Sequence, residues 1–397
     1  MSGGYSALRW LQVGTQTGTT DTPGGYVFIN PQGDVAPTAN QGKVPVDIQR
    51  SDGEITAPVL GAKSGGFSFT GLVRGKGSGA GVVSGAGVAA VGGEFDKLFD
   101  ALFGAAGSHG TGTTSGTTHD TDTIKMADTS GHPAGNGLLI DSDPTAATRY
   151  EAREVISIST NTSVELDRVL QGTPANATVA YASTSWYADA DDSDHSHLRF
   201  LMEGESWARD FLGCGLKLSL NCPAGGLAQW QWEVMANDWE DIADGSLTYS
   251  SPTSAAALSV LGSPFYIGAT KTELIECSLD FGFEPQPRLA TEGANGQNGW
   301  IYNYTGAKFN FKVYHNDTTM NTLQSASTVD LAFQLGDMSS SSTPGNCLYI
   351  RIPAFVCDGN PQIETFNGVD AISVSGIATR PGSGTGSLRM HLFASAA

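Results

Sequence analysis

The densest group of side chains that could bind a metal ion lies near the middle of the chain. It comprises Asp189, Asp191, Asp192, Asp194, His195 and His197. Carboxylate oxygens at such short spacing could hold a divalent cation, but the spacing fits no EF-hand loop and no glycine marks its sharp turn. We interpret the group as a solvated acidic joint between domains, and we expect no metal site.

A second group of acids could hydrolyse glycosides, because two carboxylates that flank a sugar are the usual machinery. The candidates are Glu240, Asp241 and Asp244, next to Trp239. Surface acids are abundant in this chain, so we favour a structural role. A sugar-binding platform could also form from Trp207, Trp230, Trp232 and Trp239. The spacing of Trp230 and Trp232 instead favours the core of a sheet.

The remaining motifs carry little chemistry. Gly85, Gly87 and Ala90 fit a dinucleotide-binding pattern, but no βαβ unit surrounds them, so we interpret the match as chance. His109, His119 and His132 lie in polar stretches, and the five cysteines include no CxxC pair that would suggest zinc. We therefore expect no catalytic residue, no cofactor, no metal and no enzyme activity.

Composition indicates a β protein. Of the 397 residues 51 are glycine, and only 15% are charged, against about 25% in ordinary domains. Such a chain is poor helix material, whereas 40% hydrophobic residues suffice for a core. The net charge of −19 opposes a DNA-gripping role, because DNA is held by lysine and arginine.

No targeting or membrane segment is expected. The first residues lack a basic region followed by an apolar stretch, so they do not resemble a secretory leader. The uncharged, glycine-rich run over residues 77–93 is too short and too flexible for a spanning helix. We interpret that run as a loop or a hairpin tip.

The hydrophobic pattern predicts three segments, residues 1–126, 127–194 and 195–397. In the first, we expect a strand over 44–49 and two strands within 55–73, separated at its glycines. A helix follows over 94–103, where Phe95, Leu98, Phe99 and Leu102 share one face.

In the middle segment, short strands over 137–141, 154–159, 163–167 and 177–181 predict a small inserted β domain. The last segment alternates apolar and polar residues along many strands, as in residues 216–220, 230–234, 275–283, 309–313, 329–335 and 388–392. This alternation is typical of antiparallel sheets with one solvated face.

The two ends of the chain share a weak internal echo. Phe67 and Phe69 begin a strand that leads to the helix over 94–103, and Phe309 and Phe311 begin one that leads to a short helix over 318–325. The sequence leaves open whether these are two copies of one sheet-plus-helix unit.

Residues 210–222 (DFLGCGLKLSLNC), the turn over 223–226 and the aromatic strand over 227–236 together resemble a stretch of the tail tube proteins of long-tailed bacteriophages. The strands over 272–283, 306–316 and 386–393 are similar to that family in order and type, as are the strand pair over 44–75 and the helix after it. The similarity covers roughly residues 44–104 and 196–395.

The resemblance implies an antiparallel β-sandwich or half-barrel of the tail tube type, with a flanking helix. It further implies stacked rings around a β-lined, often acidic lumen that conducts the genome into the host. The implied partners are further copies of the chain, the tape measure protein and DNA within the lumen, and other tail proteins at the tube ends. The implied location is the virion tail, assembled in the host bacterial cytoplasm.

Ring size would follow from the internal echo. One tube unit per chain gives a hexamer, and two give a trimer with pseudo-sixfold symmetry. The middle segment would then decorate the outside. The alternative functions are a carbohydrate- or receptor-binding β protein, such as an adhesin or tail-tip component, and a glycosidase.

Overall fold

The computed structural model describes residues 10–16, 25–44, 59–75, 94–104, 107–108, 112–115, 119–142, 150–175, 178–188, 195–243, 256–260, 262–289, 296–336, 346–381 and 386–393. The chain is mainly β, with antiparallel sheets and a half-barrel, which confirms the class predicted from the alternating strands.

The elements follow one another in four groups along the chain. The first comprises β1 Trp10–Gln16, β2 Val27–Ile29, β3 Thr38–Val44, β4 Val59–Leu72 and helix α1 Asp96–Phe103. The second comprises β5 Gly107–Ser108, β6 Gly112–Thr113, β7 Thr123–Lys125, β8 Gly137–Asp141, β9 Tyr150–Ser159, β10 Ser163–Leu166 and β11 Val179–Tyr187. The third comprises β12 His197–Glu203, β13 Ala208–Cys222, β14 Gln229–Ala236 and β15 Asp238–Ile242. The fourth comprises β16 Pro264–Ile267, β17 Thr270–Asp280, β18 Phe283–Leu289, β19 Gln297–Tyr304, β20 Lys308–Tyr314, helix α2 Asp317–Ser325, β21 Val329–Leu335, β22 Leu348–Cys357, β23 Gln362–Phe366, β24 Val369–Ala378 and β25 Arg389–Phe393.

Six strands from the first and third groups form what we call the N unit: β1, β2, β4, β12, β13 and β14. Antiparallel pairing runs from β2 to β1, β12, β13, β14 and β4. A single bridge between Gln32, just after β2, and Thr70 of β4 completes the circuit. The N unit is therefore a ring of strands that is weakly closed at one place.

Six strands of the fourth group form the C unit: β16, β17, β20, β21, β22 and β24. Pairing runs from β17 to β16, β21, β22, β24 and β20, and β20 pairs with β17 again. Each strand of the C unit corresponds to one of the N unit, both in chain order and in its place around the ring. In this order, β16, β17, β20, β21, β22 and β24 correspond to β1, β2, β4, β12, β13 and β14. α2 follows β20 as α1 follows β4, and β25 pairs with β22 as β15 pairs with β13.

The phenylalanines of the internal echo hold equivalent positions in the two units. Phe69 lies opposite Trp232 on β14, and Phe311 lies opposite Val374 on the corresponding strand β24. All four side chains are buried. The echo seen in the sequence therefore coincides with two sets of strands that share one pairing order.

Helix α1 packs its apolar face into the core of the N unit, as the spacing of its large residues predicts. The ring of Phe99 lies 5.1 Å from that of Trp186, 5.2 Å from Trp230 and 5.4 Å from Trp232, between ring centres. Gly104 ends the helix with a φ of +85°, a left-handed conformation that suits glycine. The second helix predicted over 318–325 is α2, and its Asn316 side chain accepts from the Thr318 N–H at 2.9 Å.

The prediction of two strands within residues 55–73 is wrong, because β4 runs unbroken through its glycines. A Cβ at Gly66 would lie 2.5 Å from the Val234 carbonyl oxygen, and one at Gly65 would lie 2.9 Å from that of Thr38. These glycines thus admit close neighbouring strands rather than turns. Of the strand predicted over 44–49, only Val44 lies within the described residues, where it ends β3.

The long strand β13 bends at Gly213, whose φ is +58°. Its register with β12 shifts nearby, as in a β-bulge. The Gly213 N–H donates to the Gln16 side-chain oxygen at 2.9 Å, and the Gly213 carbonyl accepts from the Trp300 indole N–H at 2.6 Å. Side chains therefore satisfy the backbone groups that the bulge removes from the ladder.

Strands β7 to β11 form what we call the middle region, a small sheet with its own apolar core, in which Ile124, Leu138, Ile140, Val155 and Val164 are buried. Strands β7, β10, β9, β8 and β11 pair in that order, and β11 also pairs with β25. β7 lies before the predicted boundary at residue 126, and the boundaries of the three segments stay predictions. Where the chain returns to the N unit, the Ser196 N–H donates to the Ala101 carbonyl at 3.1 Å.

We predict that Phe99→Ala will lower the free energy of unfolding by about 3–5 kcal/mol, because it leaves a cavity among three buried indoles. Urea denaturation measures the change. Leu289→Ala is the control, since Leu289 is 80% exposed, and it should change stability by less than about 0.5 kcal/mol. Equal effects of the two variants would contradict the packing described for α1.

Candidate assembly surface

One sheet extends through both units. β4, β14 and the second half of β13 belong to the N unit, and β17, β20 and β24 of the C unit continue the same sheet. Successive side chains on a strand point to opposite faces. One face of this sheet is therefore the apolar wall of the two cores, and the other carries polar residues.

We call the second face the polar sheet face. None of its members is buried, and most are uncharged. They are Ser68, Thr70, Lys217, Ser219, Asn221, Gln229, Gln231, Glu233, Glu276, Ser278, Asp280, Lys308, Asn310, Lys312, Ser373 and Ser375. Three lysines stand among three carboxylates of this set, and Glu284 and Glu364, which pair with two of the lysines, add two more acids. The face and its ion-pair partners therefore carry only a small part of the chain's net charge of −19.

Ion pairs restrain two of the three lysines. Lys312 lies 2.7 Å from a Glu276 oxygen and 3.1 Å from one of Glu364, between nitrogen and oxygen. Lys217 lies 2.6 Å from Glu284. Hydrogen bonds to these carboxylates raise the pKa of both lysines. Both ammonium groups therefore stay charged and are engaged with carboxylates of the chain itself.

The two units meet at a junction in which the end of β13 pairs with the end of β17. Four residue pairs form it, including Leu220 opposite Leu279 and Cys222 opposite Cys277. These four side chains are buried. Burial raises the pKa of the Cys277 thiol, and the adjacent Cys222 raises it further. The two thiols thus act as small apolar side chains at the junction.

The hairpin of β18 and β19 strengthens this junction, because it extends from the C unit across β13 of the N unit. Its Tyr302 hydroxyl accepts from the Leu216 N–H at 2.9 Å. Trp300 lies over Gly215, where a Cβ would come within 2.8 Å of the indole. A side chain at Gly215 would therefore displace the hairpin.

A network of charged side chains fastens the middle region to the C unit. It comprises Glu151, Arg153, Glu154, Asp167 and Arg168 of the middle region with Asp330, Arg351 and Arg389. Arginines and carboxylates are equal in number, as burial of so many charges requires. Most of these side chains are buried.

Several contacts of this network join the middle region to the C unit. Arg168 lies 2.5 Å from Asp330, and Arg351 lies 3.2 Å from Glu154. The Arg153 guanidinium donates to the Tyr266 hydroxyl at 3.0 Å. Asp330, Arg351 and Tyr266 belong to β21, β22 and β16, which form the wall of the C unit that faces away from the polar sheet face.

The Asp167 side chain, a carboxylate of this network, is fully enclosed. Burial alone would raise its pKa, but Arg168, Arg351 and the Tyr349 hydroxyl outweigh burial and hold the pKa below its usual range. The Tyr349 hydroxyl donates to one carboxylate oxygen at 2.7 Å, and the Glu154 N–H donates to the other at 2.8 Å. The carboxylate is therefore ionised within the fold.

The candidate metal cluster lies only partly within the described residues. Asp189, Asp191, Asp192 and Asp194 lie outside the described residues, whereas His197 begins β12. The His195 ring lies 4.3 Å from that of Tyr302, between centres. Within the described residues, no group of three or more histidines, cysteines, aspartates and glutamates could hold a metal ion.

The four tryptophans do not form one platform. Trp230 and Trp232 are buried in the core of the N unit, while Trp207 and Trp239 are only partly buried against it. Lys63 and Arg209 lie over the Trp239 ring, at 5.1 and 4.9 Å from its centre. A flat surface of four stacked indoles for a sugar is thus not available.

The carboxylates next to Trp239 do not converge either. Glu240 and Asp241 are neighbours on β15 and so point to opposite faces, and Asp241 lies 2.8 Å from Arg209. Asp244, His109 and the glycine motif over 85–90 lie outside the described residues. His119 and His132 are buried in the middle region rather than set in an open loop.

Two features escaped the sequence analysis. The junction joins residues 219–222 with 277–280, and nothing in two alternating strands says which strand is the neighbour. The ionic network was missed because Arg351 and Arg389 alternate with apolar residues, as on a solvated face, and Arg153 and Arg168 stand beside acids. Arg351, between Ile350 and Ile352, is an example.

Neither a scan of protein-family models nor a search of curated protein sequences gives a match to this chain. No helix within the described ranges is long and apolar enough to cross a membrane.

We predict that Asp167→Asn will lower the free energy of unfolding by about 3–5 kcal/mol at pH 7, because it leaves buried guanidiniums without their carboxylate. Denaturation in urea measures the change. Asp241→Asn is the matched control, because Asp241 also pairs with an arginine, Arg209, but its own side chain is 68% exposed. The control should cost no more than about 1 kcal/mol.

The difference between wild type and Asp167→Asn should depend on pH. The pKa of Asp167 is lower in the fold than the value of about 3.9 expected when unfolded. Its contribution is therefore complete above that value and is lost as the pH falls through the lowered pKa. Unfolding curves between pH 7 and pH 3 should converge on acidification, and a constant difference would contradict the role of the ionised carboxylate.

Proposed function

We propose that the chain is a structural virion protein that forms stacked rings, and that these rings make the tail tube through which a long-tailed bacteriophage delivers its genome. The observation that carries this proposal is the polar sheet face, which extends without interruption over both units. A sheet that is apolar on one side and polar on the other suits a wall between a packed core and a water-filled channel.

The proposal takes the N unit and the C unit as two diverged copies of one tube unit. Their identical pairing order supports this, and so does the equivalence of Phe69 with Phe311. α1 and α2 then serve as the flanking helices of the two copies. A ring of six units needs three chains, so we favour the trimer with pseudo-sixfold symmetry over the hexamer.

In this proposal the polar sheet face lines the lumen. A surface of serine, threonine, asparagine and glutamine, with two of its three lysines held in ion pairs, offers DNA little attraction, because phosphate binding needs available cations. The resemblance implies an often acidic lumen, and we attribute low adhesion to the pairing of Lys217 and Lys312 with carboxylates. Tape measure protein and DNA would contact this face only in passage.

The middle region would decorate the outside of the tube. Its ionic network engages β16, β21 and β22, on the wall opposite the polar sheet face. The protein would act in the virion tail after assembly in the bacterial cytoplasm, with no catalytic role. Other tail proteins would bind at the ends of the tube.

Electron microscopy of concentrated purified protein tests the proposal directly. We expect rings or tubes, and the same protein should be present in purified virions. Protein that stays monomeric at high concentration and is absent from virions would overturn the proposal. Specific binding in a glycan array without polymers would favour the receptor-binding alternative.

We also predict that arginines on the polar sheet face will make tubes retain DNA. Ser278 and Ser375 both lie opposite Asn310, so Ser278→Arg with Ser375→Arg adds adjacent unpaired charges. Retention of DNA by sedimented tubes should rise about tenfold at low salt and fall as salt increases. Genome ejection should slow.

Ile158→Arg with Val169→Arg is the matched control, because it adds the same charge at exposed positions of the middle region. It should leave DNA passage unchanged. A slower ejection in the control alone would contradict the assignment of the lumen.

A further inference from the structure

Strand β23 has an unoccupied edge. Among the described residues it pairs with β24 alone, and Ile363 at its centre is 58% exposed. An edge strand with an exposed apolar residue is a template for pairing with another chain.

The N unit shows what this edge corresponds to. Trp230 and Ile372 each lie two residues before the partners of the equivalent Phe69 and Phe311. Leu220 lies opposite Trp230, and Ile363 lies opposite Ile372. Ile363 is therefore the counterpart of Leu220, which is fully buried at the junction.

The partner of Leu220 also has a counterpart. Leu220 lies opposite Leu279 on β17. Three residues before Leu279, Glu276 of the same strand lies opposite Lys312. In the N unit, Gln32 faces Thr70 at the matching place, and Val35 lies three residues after Gln32. The stretch over residues 33–36 thus matches residues 277–280 of β17, which form the junction. It directly follows the bridge between Gln32 and Thr70.

We propose that β23 pairs with residues 33–36 of a second copy of this chain, so that the internal junction is repeated between molecules. The inference rests on the proposed function, and it specifies the interface of the ring. The contact is head-to-tail, since the two surfaces differ, and such contacts close into rings or run into filaments. The polar sheet face would continue from one copy to the next.

The repeated junction fixes a register. Ile363 lies opposite Val35 of the neighbour, as Leu220 lies opposite Leu279. Glu364 then lies opposite Asp34, next to Lys312, which is 3.1 Å from Glu364 within the chain. A second carboxylate beside Lys312 is tolerable, but two like charges in directly opposite positions weaken the pair.

Disulfide trapping tests this register. One chain carries Asp34→Cys and a second carries Glu364→Cys, both at exposed positions that should not disturb folding. After mild oxidation, a covalent dimer should form in the mixture and not in either chain alone. A single chain with both substitutions should give closed trimers on non-reducing gels.

Two further variants test the energetics of the contact. Ile363→Asp should weaken association at least tenfold in sedimentation, whereas Val169→Asp, at a side chain that is 56% exposed in the middle region, should leave it unchanged. Asp34→Asn should strengthen association, because it removes the like charge opposite Glu364.

The results separate this inference from the proposed function. Rings that form without cross-linking, and that tolerate Ile363→Asp, would overturn the interface while the tube function stands. Wild-type protein that forms no rings and is absent from virions would overturn both. Cross-linking that needs both cysteines, together with loss of rings in Ile363→Asp, would support both.

Discussion

Strand β13 is the element on which the rest of the structure depends. Its first half is hydrogen-bonded to β12 and β15, and its second half to β14 and β17. A single strand can serve four neighbours only if it bends from one layer into another. The left-handed Gly213 allows the bend, and Gln16 and Trp300 satisfy the backbone groups that the bend exposes. Because β13 also carries the junction, the two units hold their relative orientation through this strand.

The sheet that passes through β13 separates two kinds of surface. On one side the apolar residues of both units pack around aromatic rings. On the other side, short uncharged side chains and paired lysines leave a surface with little affinity for charged polymers. The opposite wall of the C unit has a different task, because its charged residues are enclosed by the middle region. The charge of −19 is thus not concentrated where the sheet is open to water.

The sequence predicted local features well, because they depend on neighbouring residues. The spacing of Phe95, Leu98, Phe99 and Leu102 predicted the face of α1, and period-two alternation predicted most long strands. It could not predict the order of strands in the sheet, since alternation describes faces and not neighbours. Glycine was ambiguous for the same reason: at Gly65 and Gly66 it accommodates an adjacent backbone, which only the folded sheet supplies.

The candidate surface, like the fold, could be predicted from the sequence only in part. Polar alternation was visible from the sequence, but its assignment to one continuous face needed the pairing of β13 with β17. Arg351 and Asp167 look like solvated residues in the sequence, and only the docking of the middle region encloses them. The internal echo of two Phe-x-Phe strands was the one sequence signal that pointed beyond local structure.

The hydrogen bond between Ser196 and Ala101 has an evolutionary consequence. It brings the two ends of the middle region to one point beside α1, so this region leaves and re-enters the N unit at the same place. The entropic cost of closing a longer excursion grows slowly, by about 0.6 kcal/mol for each doubling of length. Related chains could therefore lengthen, shorten or exchange the part of the excursion before β11, while β11 keeps Trp186 in the core of the N unit and its pairing with β25. This makes the excursion a natural site for acquiring new surface modules.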